Sequence, residues 1–113
     1  MKEWHDIVES LRRFSEVRNW DQFHAPKNLA TALVVEAAEL LENFQWLTEE
    51  QSHRLPDDKL ESVTDEIADV QIYLIQLADK LGIDILKSVT RKMEKNAERY
   101  SVDKAYGSAE KQR

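Results

Sequence analysis

Leu33-Val34-Val35-Glu36-Ala37-Ala38-Glu39-Leu40-Leu41 carries two carboxylates inside an otherwise apolar run. Glu36 and Glu39 are spaced i, i+3, which puts both on one face of a helix about one turn apart. A second stretch, Val63-Thr64-Asp65-Glu66-Ile67-Ala68-Asp69-Val70, repeats the arrangement with Glu66 and Asp69. Two such helices facing each other would converge four carboxylates.

Outward from these runs, the periodicity predicts an all-α fold of four helices. Trp4, Ile7, Val8, Leu11 and Phe14 are spaced three and four apart, and Val17 prolongs the stripe, so the first helix is expected from about Lys2 to Arg18. Trp4 and Phe14 are assigned to the core. Asn19 to Pro26 breaks the pattern as an aromatic-rich loop, because Pro26 disfavours helical geometry at Ala25 and lacks an N–H donor. Asn28 is the expected N-cap of a second helix reaching about Trp46. Thr48 to Gln51 has the spacing of a capping box, and a polar linker follows around Ser52–Pro56. Asp57 or Asp58 is expected to cap the third helix, which Gly82 ends near Lys80. Asp84 caps a fourth helix to about Tyr100. Residues 1–100 are thus read as one all-α domain, and 101–113 as a largely flexible tail anchored only by Val102 and Tyr106.

The second and third helices are apolar over more than one stripe, as at Leu33-Val34-Val35 and Ile72-Tyr73-Leu74-Ile75. A surface helix of a monomer has no reason to be apolar nearly all round, so the bundle is expected to be completed by oligomerisation.

Composition narrows the function. The chain has 113 residues and no Cys, which excludes a disulfide scaffold, a thiol nucleophile and a cysteine zinc cluster. Three histidines at 5, 24 and 53 lack the pairing of a helical His-x-x-x-His metal site. No stretch approaches the roughly eighteen apolar residues of a membrane span, and the N-terminus lacks the apolar core of a secretory signal. A soluble, cytoplasmic protein with no membrane partner is expected. Residues 28–80 carry three bases and twelve acids, and residues 81–113 eight bases and five acids. So acidic a centre repels a nucleic acid backbone, and a nucleic acid polymer is not an expected partner.

Either acid pair alone would be ordinary on a solvated helix face; two pairs, each in the most apolar part of its helix, call for a counter-charge. Like charges at that separation repel, and partial burial adds a desolvation cost. Arg54, Lys59 and Lys80 are the bases of this region, and they lie in the linker or toward the ends of the third helix. Hard divalent cations take oxygen ligands, and Mg²⁺ keeps several waters and is commonly completed by substrate phosphates. Glu36, Glu39, Glu66 and Asp69 are therefore a candidate site for one or two Mg²⁺ ions holding a polyphosphate, with a positioned water as nucleophile. Glu42 continues the first row as an outer ligand or a solvated acid. Asp65 points about 100° away from Glu66, toward the surface.

A second set is aromatic and basic. Trp20, Phe23 and His24 lie in the loop, Trp46 at the end of the second helix and Tyr73 one turn past Asp69. Lys92, Asn96 and Tyr100 form one row of the fourth helix. Aromatics can sandwich a nucleobase, an amide can orient sugar or phosphate, and a lysine can offset phosphate charge. Equally, Trp20, Phe23 and Trp46 could cap the core.

These residues resemble the all-α nucleoside triphosphate pyrophosphohydrolases that include MazG and the dimeric dUTPases, and in particular the dCTP pyrophosphatase branch. The matching motif is Glu-x-x-Glu on one helix and Glu-x-x-Asp on the next, met by Glu36, Glu39, Glu66 and Asp69. The resemblance runs from about Arg18 to Tyr100 and includes Arg18-Asn19-Trp20-Asp21-Gln22-Phe23-His24, Phe44-Gln45-Trp46 and Lys92-Met93-Glu94-Lys95-Asn96. It implies Mg²⁺-dependent hydrolysis of a nucleoside triphosphate, dCTP or a modified cytosine nucleotide, to monophosphate and pyrophosphate. It makes the four acids catalytic and metal-binding, Trp20, His24, Trp46 and Tyr73 the base and sugar side, and Lys92 and Asn96 the phosphate side. It also implies a homo-oligomer, a tetramer built as a dimer of dimers or else a dimer. The alternatives are a broad housecleaning pyrophosphatase and a non-catalytic, regulatory helical oligomer. A metal-storage bundle would want Glu-x-x-His pairs, which are lacking.

Overall fold

The structure is a computed structural model that describes residues 3–112. Helix α1 spans Trp4–Val17, α2 Pro26–Glu42, α3 Glu49–Ser52, α4 Asp57–Lys80, α5 Ile85–Arg99 and α6 Val102–Ala105, with no strand among the described residues. The fold is all-α, as the periodicity predicts. None of these helices is long and apolar enough to cross a membrane.

Local chemistry sets the ends of each helix. Glu3 and Asp6 form a reciprocal capping box at the start of α1. The helix stops because Asn19 adopts left-handed geometry at φ 53, a conformation asparagine tolerates. Trp20 N–H then donates to Ser15 O at 2.9 Å and Asn19 N–H to Glu16 O at 3.0 Å, the paired bonds of a Schellman motif. This turn folds Trp20 back onto Phe14, edge to face at 5.6 Å between ring centroids. Phe14 is 44% exposed rather than in the core, with the Arg18 guanidinium over its ring at 3.6 Å.

Three expected boundaries shift. α2 begins at Pro26 with Ala25 as its cap, not at Asn28. Proline suits the first helical position because its missing N–H would have no intrahelical partner there. Asn28 instead donates its side-chain amide to Phe23 O at 3.1 Å, within the loop whose centre is a 3₁₀ turn at Asp21–Phe23. α2 ends at Glu42, short of Trp46. Asn43 and Phe44 close i, i+3 bonds to Leu40 O and Leu41 O, and Lys59 Nζ donates to Asn43 O at 3.3 Å. A tightened last turn with a cation on a terminal carbonyl is a stable stop. Pro56, not Asp57 or Asp58, occupies the cap of α4; both aspartates lie in its first turn, where negative charge is favoured. Elsewhere the caps follow the sequence. Thr48 and Gln51 exchange both capping-box bonds, Asp84 accepts from Lys87 N–H at 3.0 Å, and Gly82 at φ +68 follows the end of α4.

Residues up to Gly82 form one compact unit and those from Ile83 a second. In the first, α2 and α1 both pack on α4. Asn43 meets Lys59 while Glu36 meets Glu66, so α2 and α4 run antiparallel. Arg12 meets Asp79 while Ser15 meets Gln76, so α1 also runs antiparallel to α4. Leu29, Val63, Ile75 and Ala78 are the buried apolar side chains among the described residues. So small a core leaves apolar surface outside: Val34 on α2 is 66% exposed and Leu41 61%. In the second unit, Asp84 opens α5, and Gln112 N–H donates to Tyr100 Oη at 3.2 Å, joining the chain end to the end of that helix.

Arg12 grips Asp79 through two parallel bonds, Nε to Oδ2 at 2.8 Å and Nη2 to Oδ1 at 2.5 Å. The hydrogen bond and charge of Arg12 hold the Asp79 carboxyl below its ordinary range. A depressed folded value stabilises above the unfolded one and is lost as pH falls through the folded one. Asp79→Asn should therefore lower Tm at pH 7, and the gap from the parent should close as the pH falls below the ordinary aspartate range. Thermal melts across pH 2–7 check this; a constant gap would mean the pair contributes by shape alone.

Candidate functional site

Glu36 lies two turns past the fully buried Leu29 on the same stripe of α2, so the packing that buries Leu29 carries a carboxylate inward. On α4, Glu66, Asp69, Tyr73 and Gln76 follow at spacings of three, four and three, a single face. Where the two helices meet, carboxylate oxygens of Glu36, Glu39 and Glu66 all lie within 4.8 Å of one another. Asp69 is outside that group of three but acts on Glu36 through its charge. Oε2 of Glu36 and Oε2 of Glu66 are buried and have no hydrogen-bond partner among the described residues.

Among the described residues no cationic side chain forms an ion pair with these acids. Burial first, then the adjoining carboxyl groups of Glu39 and Glu66 and the charges of Glu39 and Asp69, push the Glu36 carboxyl up to about 7. Buried acceptors left unpaired are costly. An all-oxygen donor set with two orphaned, inward oxygens fits a hard divalent cation, which would neutralise the cluster and complete both acceptors.

Further along α4, a cavity of about 420 Å³ opens between α1, the 3₁₀ turn and the last turns of α4. His24 and Gln76 line it, as does Ser15, and the ion pairs Arg12–Asp79 and Lys80–Asp21 border it. Trp20 stands against the His24 ring at 6.4 Å, edge to face. The two aromatic candidates of the loop are thus brought together. Tyr73 is half-buried on the face between the acids and the cavity. Trp46 is 86% exposed on the turns after α2 and joins none of these groups. Lys92 and Asn96 are exposed on α5, in the second unit.

Residues 31–113 match the MazG-like family. The chain belongs to the MazG-like family. This MazG-like chain is 41% identical over 108 residues to dCTP pyrophosphatase 1 of Mus musculus, an alignment covering 90% of the chain and 64% of the mouse protein. It is 38% identical over 111 residues to dCTP pyrophosphatase 1 of Homo sapiens, covering 92% and 65%. The chain thus spans just under two thirds of the length of these curated relatives. A pyrophosphatase crystal structure from Archaeoglobus fulgidus superposes with a TM-score of 0.82 at 39% identity, covering 89% of this chain and 96% of that one.

Sequence inspection of this MazG-like chain missed Ser15, Gln76, Arg12 and Asp79, which line the cavity. Ser15 did leave a signal: it falls four residues after Leu11 on the stripe of α1 that turns inward, where an apolar side chain belongs. Gln76 left one as well, continuing the row of Glu66, Asp69 and Tyr73.

Proposed function

We propose that this protein is a Mg²⁺-dependent nucleoside triphosphate pyrophosphohydrolase that cleaves at the α-phosphorus, giving monophosphate and pyrophosphate, with dCTP or a modified cytosine nucleotide as preferred substrate. The observation that carries this reading is the cluster of Glu36, Glu39 and Glu66, with two buried oxygens that have no partner among the described residues. Its kinship with proteins named dCTP pyrophosphatase 1 supports the base preference.

Glu36, Glu39, Glu66 and Asp69 form the metal shell, and one glutamate also orients the attacking water. A bound cation supplies charge compensation for the phosphoryl oxygens and the departing pyrophosphate. Trp20, His24, Trp46 and Tyr73 receive base and sugar, while Lys92 and Asn96 serve the phosphates. The catalytic domain is residues 1–100, with 101–113 a largely flexible tail. The exposed apolar side chains Val34 and Leu41 support a homo-oligomer, a tetramer made of two dimers or else a dimer. The protein acts in the cytoplasm.

The test is incubation with a panel of ribo- and deoxynucleoside triphosphates, including modified cytosine forms, plus Mg²⁺, with monophosphate and pyrophosphate measured separately. Equal amounts of both, with cytosine nucleotides leading in kcat/KM, are expected. A flat ranking would point to a housecleaning enzyme, and no turnover with no Mg²⁺-dependent nucleotide binding would remove the enzyme reading. Trp46→Ala should raise KM by roughly tenfold with little change in kcat, the loss of one base-stacking surface. An unchanged KM for every accepted nucleotide would take Trp46 out of the pocket.

A further inference from the structure

Ser15 is 2% exposed, the buried polar side chain among the described residues, and it faces the cavity between α1 and α4. A hydroxyl there must be satisfied. Two groups from distant parts of the chain reach it. Gln76 Nε2 on α4 donates to Ser15 Oγ at 3.3 Å, and His24 Nδ1 in the aromatic loop lies 3.4 Å from the same oxygen. Both distances are at the long end for hydrogen bonds.

The donor inventory orders these contacts. An amide nitrogen only donates, so Ser15 Oγ accepts from Gln76 and keeps its hydroxyl proton and one lone pair for His24 Nδ1; the proton is what serves an imidazole in its Nε2–H form. A neutral imidazole whose Nδ1 accepts must carry its proton on Nε2. The charged side chains around the cavity largely cancel: Arg12 is paired with Asp79 and Lys80 with Asp21, leaving Glu16. With these pairs cancelling, the short hydrogen-bonded chain is the contact that bears on the tautomer.

We propose that Ser15 and Gln76 are positioning residues for His24, holding it as the neutral Nε2–H tautomer so that it offers the bound nucleotide a hydrogen-bond donor. The role of His24 toward nucleotide rests on the functional reading above; the tautomer does not. The matching ligand group is an acceptor, a carbonyl or phosphoryl oxygen. Trp20, packed edge-on against the ring, keeps the imidazole from swinging away.

The test is ¹⁵N–¹H long-range correlation NMR of the full chain at pH 8, without nucleotide or metal. The parent protein should show Nε2 protonated and Nδ1 as acceptor. Because Nε2–H is also the ordinary preference of imidazole, the decisive comparison is Gln76→Glu, which keeps size and shape but can only accept. Its carboxylate would accept a hydrogen bond from the Ser15 hydroxyl, leave Ser15 Oγ as an acceptor toward His24, and draw the imidazole proton to Nδ1. Circular dichroism confirms that the variant is folded, and Ser15→Ala, which removes the link, serves as a second variant with a mixed tautomer population expected. A folded Gln76→Glu that keeps the Nε2–H pattern, or a parent already protonated on Nδ1, would overturn the proposal.

Nucleotide kinetics then separate the two readings. With both correct, Gln76→Glu raises KM about tenfold at nearly constant kcat, the loss of one hydrogen bond to substrate. A tautomer switch in a protein that hydrolyses no triphosphate would uphold the positioning of His24 and remove the functional reading alone.

Discussion

Glu39→Ala and Asp69→Ala are each expected to lower kcat/KM for the preferred triphosphate by roughly 10²–10³-fold or more, the scale of losing a principal electrostatic element at a reacting phosphoryl or acyl centre. Neither change should unfold the protein. Glu39 is exposed on α2 and Asp69 half-buried on α4, and both press negative charge on Glu36. Removing either relieves repulsion in the metal-free state, so its Tm should hold or rise, while the increment in Tm that Mg²⁺ gives the parent should shrink. Activity and metal-free stability thus move independently. Melting curves with and without Mg²⁺, alongside kinetics and circular dichroism, check the pair of effects. Helicity lost together with activity would make these acids structural.

Mg²⁺ affinity should rise about tenfold per pH unit on the acid side of 7 and level off above it, since the ion must displace the proton held by Glu36. The Glu36 carboxyl is raised to about 7 by burial and by its neighbours. A raised folded value stabilises the metal-free protein fully below the unfolded carboxylate value, about 4.3, and that stabilisation is lost as pH rises through about 7. Metal-free Tm should accordingly fall between pH 5 and pH 8, and saturating Mg²⁺ should restore most of it at pH 8. Calorimetric titration in buffers of different ionisation enthalpy reads the released proton directly. Mg²⁺ affinity that is flat from pH 6 to pH 8, with no proton release, would show that the cation goes elsewhere.

Much of this was legible from local spacing. The capping box at Thr48 and Gln51, the Asp84 cap and the stop at Gly82 involve partners within a few residues, so sequence reports them well. Two of the three shifted boundaries have local causes that composition disguises. Asn28 is a good cap by type, yet Pro26 two residues earlier already has the dihedral that starts a helix, and asparagine was free to bond Phe23 O. The early end of α2 was not visible because one partner, Lys59, arrives from α4. Trp46 lies on a turn beyond Glu42 rather than within α2, which leaves it exposed in the single chain.

Sequence alone determined that the chain is helical, that two acid pairs ride within its most apolar helices and that Trp20 and His24 share a loop, because each property depends on neighbours within about two helical turns. Tertiary structure decided the rest. It chose which oxygens are orphaned, Glu36 and Glu66, by setting α2 against α4 with Glu36 on the stripe of Leu29. It also joined Ser15 to Gln76 across sixty-one positions and to His24 across nine. A periodic pattern states which face of a helix turns inward, but not which residue of another helix it will meet there, and hydrogen-bond partners and carboxylate burial are properties of that meeting.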